Sequence, residues 1–206
     1  MKILTVPGDT PLLRQKSRPV KAIDRNLVRL MADMRKTLTS QRDPDGVGLS
    51  AVQIGKPVRI FALNHKYLDK IKSDKIIFYI NPEIVGHSKE KTLGARQKLS
   101  AKSGSHLDGP EKVKPFLEGC LSVPDLYGTV RRWKSIKVKT MTVVEKDLDH
   151  PIQVLRFMIY DFAELSARVF QHEIDHLSGI LFTDRVLKED GQLYRWDGDE
   201  MVEMKL

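Results

Sequence analysis

Hydrophobic residues recur at helical spacing after Asp24, near the start of the chain. They fall on one face of a helix, and they are Leu27, Leu30, Met31, Met34 and Leu38. Asp24 is a favoured N-cap residue, since its carboxylate can accept a hydrogen bond from one of the first free backbone N–H groups of a helix. The pattern therefore predicts an amphipathic helix packed on a core. The prolines within residues 1–23 indicate an extended entry and a brief helix before it.

Short apolar runs further along the chain predict strands. Three of them cover residues 58–63, 76–80 and 154–160. The dipeptide Asn81-Pro82 is expected to close the second of these strands. A fourth strand is predicted from the alternating positions Val138, Thr140, Thr142 and Val144.

A second helical stripe ends in two histidines. His172 and His176 lie four residues apart in the sequence, with Glu173 between them. On a helix that spacing puts both imidazoles on one face, one turn apart, so both can bind one cation while Glu173 lies beside it as a base. Two core histidines with satisfied hydrogen bonds would be the structural alternative, but the intervening glutamate favours a metal site.

Local signals predict the ends of this helix. Asp161 followed by Glu164 resembles a capping box, and Gly179 follows as a stop. Leu165 and Val169 continue the stripe between them. The predicted fold class is α+β, with mixed or antiparallel strands around a central helix that carries the histidine pair and an amphipathic helix near the N-terminus.

Two stretches keep no helical or strand period over their length. Residues 86–115 are polar and basic, rich in Lys, Ser and Gly, and predict a surface insertion. The tail after Thr183 holds two Asp-Gly turn pairs and predicts a short hairpin rather than a helix. Both are interpreted as additions to a single domain that spans residues 1–206.

Composition narrows the class of protein. The chain has 206 residues, enough for a substantial core, and no apolar run approaches the ~20 residues of a membrane-spanning helix. It begins without the long apolar region of a signal peptide, so a cytoplasmic location in a bacterial-type cell is expected. The formal net charge of +8 suits an anionic partner such as a ribosome, but the lysines are scattered and indicate no sequence-specific nucleic-acid site.

Two further segments carry candidate chemistry. Residues 46–53 place two glycines one residue apart before Gln53, without the third glycine or the Lys-Ser/Thr pair of nucleotide loops. A tight turn before a strand is the simpler interpretation, in which the Gln53 amide could help to hold an oxyanion. Cys120 is the single cysteine, which excludes an intrachain disulfide and leaves an inert buried thiol, a nucleophile or a metal ligand.

Three segments together resemble the signature motifs of the peptide deformylase family. They are residues 46–53 (Gly-Val-Gly-Leu-Ser-Ala-Val-Gln), 118–122 (Glu-Gly-Cys-Leu-Ser) and 171–176 (Gln-His-Glu-Ile-Asp-His). The resemblance extends from the N-terminal segment to about Leu187, and it leaves out residues 86–115 and the variable tail at 189–206. Ser50 stands where the family usually has alanine, and Tyr127 where many members have arginine beside the substrate pocket.

This resemblance implies a metal-dependent hydrolase that removes the N-formyl group from the formyl-methionine of newly synthesised proteins and releases formate. The implied roles are metal ligation by Cys120, His172 and His176, general acid/base catalysis on a metal-activated water by Glu173, and oxyanion stabilisation by Gln53 and the Leu121 backbone N–H. One thiolate with two imidazoles suits Fe(II), Zn(II), Co(II) or Ni(II). The resemblance makes iron(II) the expected native ion.

The substrate is expected to bind as an extended strand beside the glycine loop. Val47 and Gly48 are the predicted contacts of this strand, and Tyr127 is expected beside the pocket. Glu118 could line the pocket mouth or act as a structural hydrogen-bond acceptor. The predicted partners are N-formyl-methionyl nascent peptides and, transiently, the ribosome near its exit tunnel, with no membrane.

Two other interpretations use the same histidines. A zinc peptidase of another H-E-x-x-H family would need a further ligand, but Phe182 occupies the place of the third histidine in the extended motif. Glu200 or Glu203 would then have to bind the metal, which would leave Cys120 without a role. A ribosome-docking protein with an idle metal site is the other alternative, although holding an ion requires neither Glu173 nor Gln53.

Overall fold

The computed structural model describes residues 1–41, 46–68, 75–93, 116–143 and 155–205. Within these ranges the helices are α1 (Thr10–Leu13), α2 (Arg25–Thr39), α3 (Glu164–Leu177) and α4 (Phe182–Lys188). The strands are β1 (Gly48–Ser50), β2 (Ile60–Asn64), β3 (Ile76–His87), β4 (Lys91–Thr92), β5 (Leu117–Cys120), β6 (Val123–Thr129), β7 (Arg132–Trp133), β8 (Ser135–Val143), β9 (Leu155–Ala163), β10 (Leu193–Trp196) and β11 (Met201–Met204). None of these helices is long and apolar enough to cross a membrane.

All the strand pairs within the described ranges are antiparallel. One sheet has five strands in the order β1-β2-β3-β8-β9, a second has four in the order β11-β10-β6-β5, and β4 pairs with β7. Successive side chains of a strand point to opposite faces of its sheet, so β2 and β3 can support a core on each side. The predicted α+β class is confirmed, with antiparallel rather than mixed sheets.

Helix α2 covers one face of the five-stranded sheet. The Asp24 carboxylate is its N-cap and accepts a hydrogen bond from the Leu27 backbone N–H at 2.8 Å. The helix buries Leu27, Met31, Met34 and Leu38. They pack against alternate residues of β2 and β3, namely Ile60, Ala62, Ile76, Phe78 and Ile80. Removing this apolar stripe from water is what stabilises the helix on the sheet.

Helix α3 covers the opposite face of the same sheet. Phe170 of α3 contacts Phe61 of β2 edge-on, with ring centroids 4.8 Å apart, and Tyr79 of β3 at 5.0 Å. Phe162 of β9 stacks on Phe170 at 4.7 Å. Interlocked aromatic rings of this kind hold an element in one position, because rotating one ring disturbs its neighbours. The remaining side chains of α3 are therefore carried by a helix that is fixed on the sheet.

The predicted capping box at Asp161 is wrong. Strand β9 continues through Asp161 to Ala163, and α3 begins at Glu164 without a side-chain cap. Asp161 is instead directed to solvent and pairs with Lys137 on the adjacent strand, 2.9 Å away. The strand pairing overrides the local helix signal. The predicted stop is confirmed, since α3 ends at Leu177 and Gly179 has a φ of 73°.

The second predicted strand also extends beyond its expected end. Strand β3 runs past Asn81-Pro82 to His87, with register shifts against β8 that accommodate the proline. The Asn81 side chain accepts from the Val20 N–H and donates to the Val20 carbonyl, both at 2.8 Å. These bonds hold Asn81 at a φ of 49° inside the sheet. The Asn81-Pro82 dipeptide, which predicts the end of a strand, here marks a bulge within β3.

The predicted insertion and tail differ in part from expectation. Residues 86–87 belong to β3 and residues 91–92 form β4, so the insertion is shorter than predicted at its start; residues 94–115 lie outside the described ranges. The predicted C-terminal hairpin is confirmed as β10 and β11. The same prediction is wrong for residues 183–188, which belong to helix α4. Its buried residues Phe182 and Val186 pack into a third core cluster with Leu193.

Candidate metal centre

Cys120, His172 and His176 come together between α3 and the four-stranded sheet. Their ligand atoms all lie within 4.8 Å of one another, and Cys120 Sγ is 3.1 Å from His176 Nε2. The histidines are one helical turn apart on α3, and the cysteine ends β5. A soft sulfur and two imidazoles converging on one point form a donor set that suits a divalent transition metal.

A buried carboxylate orients one of the two histidines. Glu118, 4% exposed, lies 3.2 Å from His172 Nδ1, which directs Nε2 of the same ring towards the cysteine. A carboxylate behind an imidazole fixes the ring orientation and raises its basicity as a ligand. No such partner is found for Nδ1 of His176 among the described residues. Among the described residues, the His176 ring is oriented by its contacts with Cys120 Sγ and with the His172 ring rather than by a carboxylate.

Glu118 itself belongs to a buried network of charged groups. It accepts hydrogen bonds from Arg132 at 2.8 and 3.0 Å and from Arg168 at 2.7 Å. Arg132 also bonds Asp175 of α3 at 2.5 Å, and Asp175 in turn bonds Arg185 of α4. Burial alone raises the pKa of Glu118, but Arg132 and then His172 override it and hold that pKa far below its usual range. The carboxylate is therefore charged at all ordinary pH.

The protonation of the cysteine suits metal binding. Burial alone raises the pKa of the Cys120 thiol, but the imidazoles of His176 and His172 outweigh burial and hold the pKa well below the usual value. Burial alone lowers the pKa of His172, but its contacts with Cys120 and Glu118 outweigh burial and hold that pKa well above its usual value. The site therefore stabilises a thiolate, the form of cysteine that binds metals.

Glu173 lies on the inner side of α3 beside these groups. It is 3% exposed, and its Oε2 accepts a hydrogen bond of 2.6 Å from the Ser50 hydroxyl. A Cβ added at Gly48 would lie 2.9 Å from Glu173 Cδ, so the glycine is what leaves room for the carboxylate. Burial raises the pKa of Glu173, partly countered by His176. A carboxylate with a raised pKa can both take and return a proton near neutral pH.

Gln53 and Leu121 border the same point from two other segments. Gln53 lies in a 3₁₀ helix (Ala51–Ile54), and its Oε1 accepts from the Ser50 N–H at 2.8 Å. That bond turns the amide Nε2 towards Ser122 Oγ at 3.1 Å and Cys120 Sγ at 3.5 Å. Leu121 follows the cysteine in the turn between β5 and β6. The sequence-predicted groups are thus brought together from three distant parts of the chain.

A model of the polypeptide deformylase family matches residues 1–192 of this chain. The chain belongs to that family. A peptide deformylase of Syntrophomonas wolfei is 36% identical over 187 residues, which cover 91% of this chain and 93% of the relative. A peptide deformylase of Mesorhizobium japonicum is 34% identical over 178 residues, 86% of this chain and 80% of the relative.

Solved structures of peptide deformylases share the fold. A probable peptide deformylase from Synechococcus phage S-SSM7 aligns with a TM-score of 0.65 at 32% identity, over 90% of this chain and 99% of that one. A peptide deformylase from Acinetobacter baumannii, solved with Met-Ala-Ser bound, has a TM-score of 0.64 at 28% identity, over 90% and 97% of the two chains. The chain is accordingly a hydrolase of the N-formyl amide in a family of divalent-metal enzymes.

The deformylase site opens into a cavity of about 970 Å³. Its lining includes the other predicted site residues, which are Val47, Gly48, Gln53, Glu118, Leu121, Tyr127 and Glu173. Glu118 lines part of the cavity wall, but its carboxylate contacts Arg132, Arg168 and His172. It therefore acts mainly as a buried hydrogen-bond acceptor. The Tyr127 ring lies over Gly119, where an added Cβ would be 2.9 Å from Tyr127 Cδ1.

The competing metallopeptidase arrangement finds no support among the described residues. Phe182, in place of a third histidine, packs near the His172 ring with centroids 6.2 Å apart. Glu200 and Glu203 lie on the exposed hairpin of β10 and β11, while the ligand cluster found in the described part of the chain contains Cys120. The cluster that the fold assembles from the described residues is the one that contains Cys120, His172 and His176.

Sequence reasoning missed the supporting residues of this deformylase site. Arg132, Arg168 and Asp175 are buried charges whose partners lie far away in sequence, and no local pattern identifies them. Serine in place of alanine at position 50 exchanges one small residue for another in the sequence, but in the structure the Ser50 hydroxyl donates a hydrogen bond to Glu173. One signal was present: charged residues at 168 and 175 occupy interior positions of the predicted helix and need partners there.

Proposed function

We propose that this chain removes the N-formyl group from the N-terminal formyl-methionine of newly synthesised proteins and releases formate. The observation that carries the proposal is that a buried glutamate and a primary amide, Glu173 and Gln53, line the same cavity as Cys120 and His172. His176 completes the ligand cluster with Cys120 and His172. A site that only held an ion would need neither the glutamate nor the amide.

The proposed ligands are Cys120, His172 and His176, with Glu118 holding the His172 ring. A divalent ion bound there supplies an acidified water and a Lewis acid for the formyl carbonyl. Iron(II) is the ion we propose for the cell, with zinc, nickel or cobalt able to take its place. The thiolate favoured at Cys120 is consistent with each of these ions.

Glu173 is proposed as the general acid/base. Its carboxylate takes a proton from the attacking water and later gives that proton to the departing amine, so the leaving group departs as a neutral amine. Burial keeps its pKa raised, which suits a group that must exchange protons near neutral pH. The Ser50 hydroxyl, 2.6 Å away, occupies Oε2 and leaves Oε1 for the proton transfers.

Gln53 and the Leu121 backbone N–H are proposed to stabilise the oxyanion that forms on the formyl oxygen. The Gln53 amide is already oriented by its bond to the Ser50 N–H, so the reaction requires only that one N–H exchange its long contact with Cys120 Sγ for the oxyanion. A donor placed in this way typically contributes about 3 kcal/mol to transition-state stabilisation.

The peptide is proposed to bind as an added strand along β1. Among the described strands, β1 is at an edge of the five-stranded sheet and pairs with β2 alone. Its Gly48, with Val47 before it, lines the cavity and offers backbone groups to an extended peptide. Met-Ala-Ser in the Acinetobacter baumannii structure is the peptide such a reaction leaves. The substrate reaches the enzyme during synthesis, so we also propose transient ribosome contact in the cytoplasm, which the charge of +8 favours.

Formate release from formyl-Met-Ala-Ser tests the proposal. We expect turnover by the metal-loaded protein, and a fall of about 10²- to 10⁴-fold for Glu173→Gln with the bound metal retained. Cys120→Ala should lose the metal itself. An isosteric change on the exposed surface, Asp161→Asn, is the control and should leave turnover unchanged. A Glu173→Gln protein that releases formate at the wild-type rate would exclude glutamate as the acid/base.

A further inference from the structure

The four-stranded sheet carries a row of side chains that leads away from the metal site. Residues directly opposite each other in antiparallel strands lie on the same face of a sheet. Gly119 is opposite Tyr127, and Tyr127 is opposite Tyr194. The first of these strands ends in Cys120, and the third belongs to the C-terminal hairpin. The hairpin is thus joined to the strand that ends in Cys120 through β6, whose Tyr127 ring covers Gly119.

Trp196 and Met201 extend this face along the C-terminal hairpin and into the lining of the cavity. Trp196 lies two positions beyond Tyr194, on the same face, and is directly opposite Met201. Both residues line the cavity, and they are 40% and 39% exposed. The other face of the hairpin is anchored, because Leu193 is buried in the core with Val186. Two large apolar side chains are therefore held side by side in the cavity lining, and both are partly exposed.

We propose that Tyr127, Trp196 and Met201 form a subsite for the substrate residues that follow methionine, and that this subsite favours an apolar side chain. The inference rests on the proposed function. A peptide whose formyl end lies at the metal site must leave the cavity, and Tyr127, Trp196 and Met201 line that cavity together with Gly119. An aromatic and thioether surface gains most by covering apolar groups.

The preference would be a property of this chain rather than of the whole family. The family match ends at residue 192, and Trp196 and Met201 lie beyond it. The turn between them contains Asp197, Asp199 and Glu200. Carboxylates at this turn repel an acidic substrate residue at short range, so they further disfavour peptides with Asp or Glu after methionine.

The test compares peptides within one enzyme. We would measure kcat/KM for formyl-Met-Ala-Ala-Ser, formyl-Met-Phe-Ala-Ser and formyl-Met-Ala-Phe-Ser with metal-loaded wild-type protein. We expect one phenylalanine peptide to exceed the alanine peptide by about tenfold, the usual gain from filling an apolar subsite. The ratio should fall to within about twofold of unity for the Trp196→Ala/Met201→Ala protein. Using a ratio cancels any loss of folded or metal-loaded enzyme.

Val202→Ala is the matched control. Val202 is on the same hairpin and equally exposed, at 40%, but it faces away from Trp196 and Met201 because it is one position along β11. Its variant should keep the wild-type ratio. Equal rates for all three peptides in the wild type, or an unchanged ratio in the double variant, would overturn the subsite. Absence of formate from every peptide would instead refute the proposed function itself.

Discussion

Replacing Glu118 with glutamine tests the buried charge network most severely. The carboxylate is 4% exposed and accepts hydrogen bonds from Arg132 and Arg168 at 2.7 to 3.0 Å, besides its contact with His172. Glutamine keeps the shape but removes the charge. Arg132 then loses one of its two carboxylate partners, and Arg168 keeps its hydrogen bonds to the backbone carbonyls of Thr92 and Val130 but loses its carboxylate. Breaking a buried pair from one side typically costs 3–5 kcal/mol. Since Asp175 still bonds Arg132 at 2.5 Å, we expect the lower end, about 3 kcal/mol.

Urea unfolding of metal-free protein measures this loss. Asp161→Asn is the control, because its pair with Lys137 is 73% and 51% exposed and should contribute less than about 1 kcal/mol. Metal titration gives a second readout, since losing the group behind His172 should weaken binding by about 10- to 100-fold. A Glu118→Gln protein whose free energy of unfolding lies within about 0.5 kcal/mol of the wild-type value, and whose metal affinity is unchanged, would refute the reasoning.

Three further outcomes are expected. The difference in unfolding free energy between wild type and Glu118→Gln should shrink below about pH 4. A carboxylate whose pKa is depressed in the folded state contributes stability above its unfolded pKa and loses that contribution as pH falls. Urea midpoints measured across pH test this, and a difference that widens at low pH would contradict it. Ser50→Ala removes the 2.6 Å bond to Glu173, and should lower kcat by about tenfold with KM and metal content retained, whereas Ser50→Thr should restore part of the rate. Gly179→Ala should destabilise the protein by about 1–3 kcal/mol, because Gly179 has a φ of 73° and an added Cβ would lie 2.8 Å from the Arg14 carbonyl carbon; a neutral effect on thermal unfolding would refute this.

Elements stabilised by nearby residues were predictable from the sequence. Asp24 caps α2 with its own side chain, and the hairpin of β10 and β11 forms around an Asp-Gly turn. Both signals act within a few residues, so periodicity and turn chemistry are sufficient to identify them. The histidine pair belongs to the same class, because its spacing alone places it on one helical face.

Features that depend on distant partners were not predictable in this way. The Asn81 bulge forms because Val20 supplies both hydrogen bonds, and β9 runs through Asp161 because β8 pairs with it. Periodicity says nothing about such pairings. The position of Cys120 beside the histidines came from the family resemblance and not from any repeat. The contact of Ser50 with Glu173 joins residues 123 positions apart, which only the fold reveals.

The absorption spectrum of the Co(II)-loaded protein tests the central claim most directly. A thiolate bound to Co(II) gives an intense near-ultraviolet charge-transfer band that nitrogen and oxygen ligands do not give, and Cys120 is the single cysteine of the chain. We expect this band to saturate at the first equivalent of Co(II) in the wild type and in Glu173→Gln, and to be absent in Cys120→Ser. A wild-type spectrum without the band, or a band that survives Cys120→Ser, would contradict a metal site built from this sulfur and the two histidines.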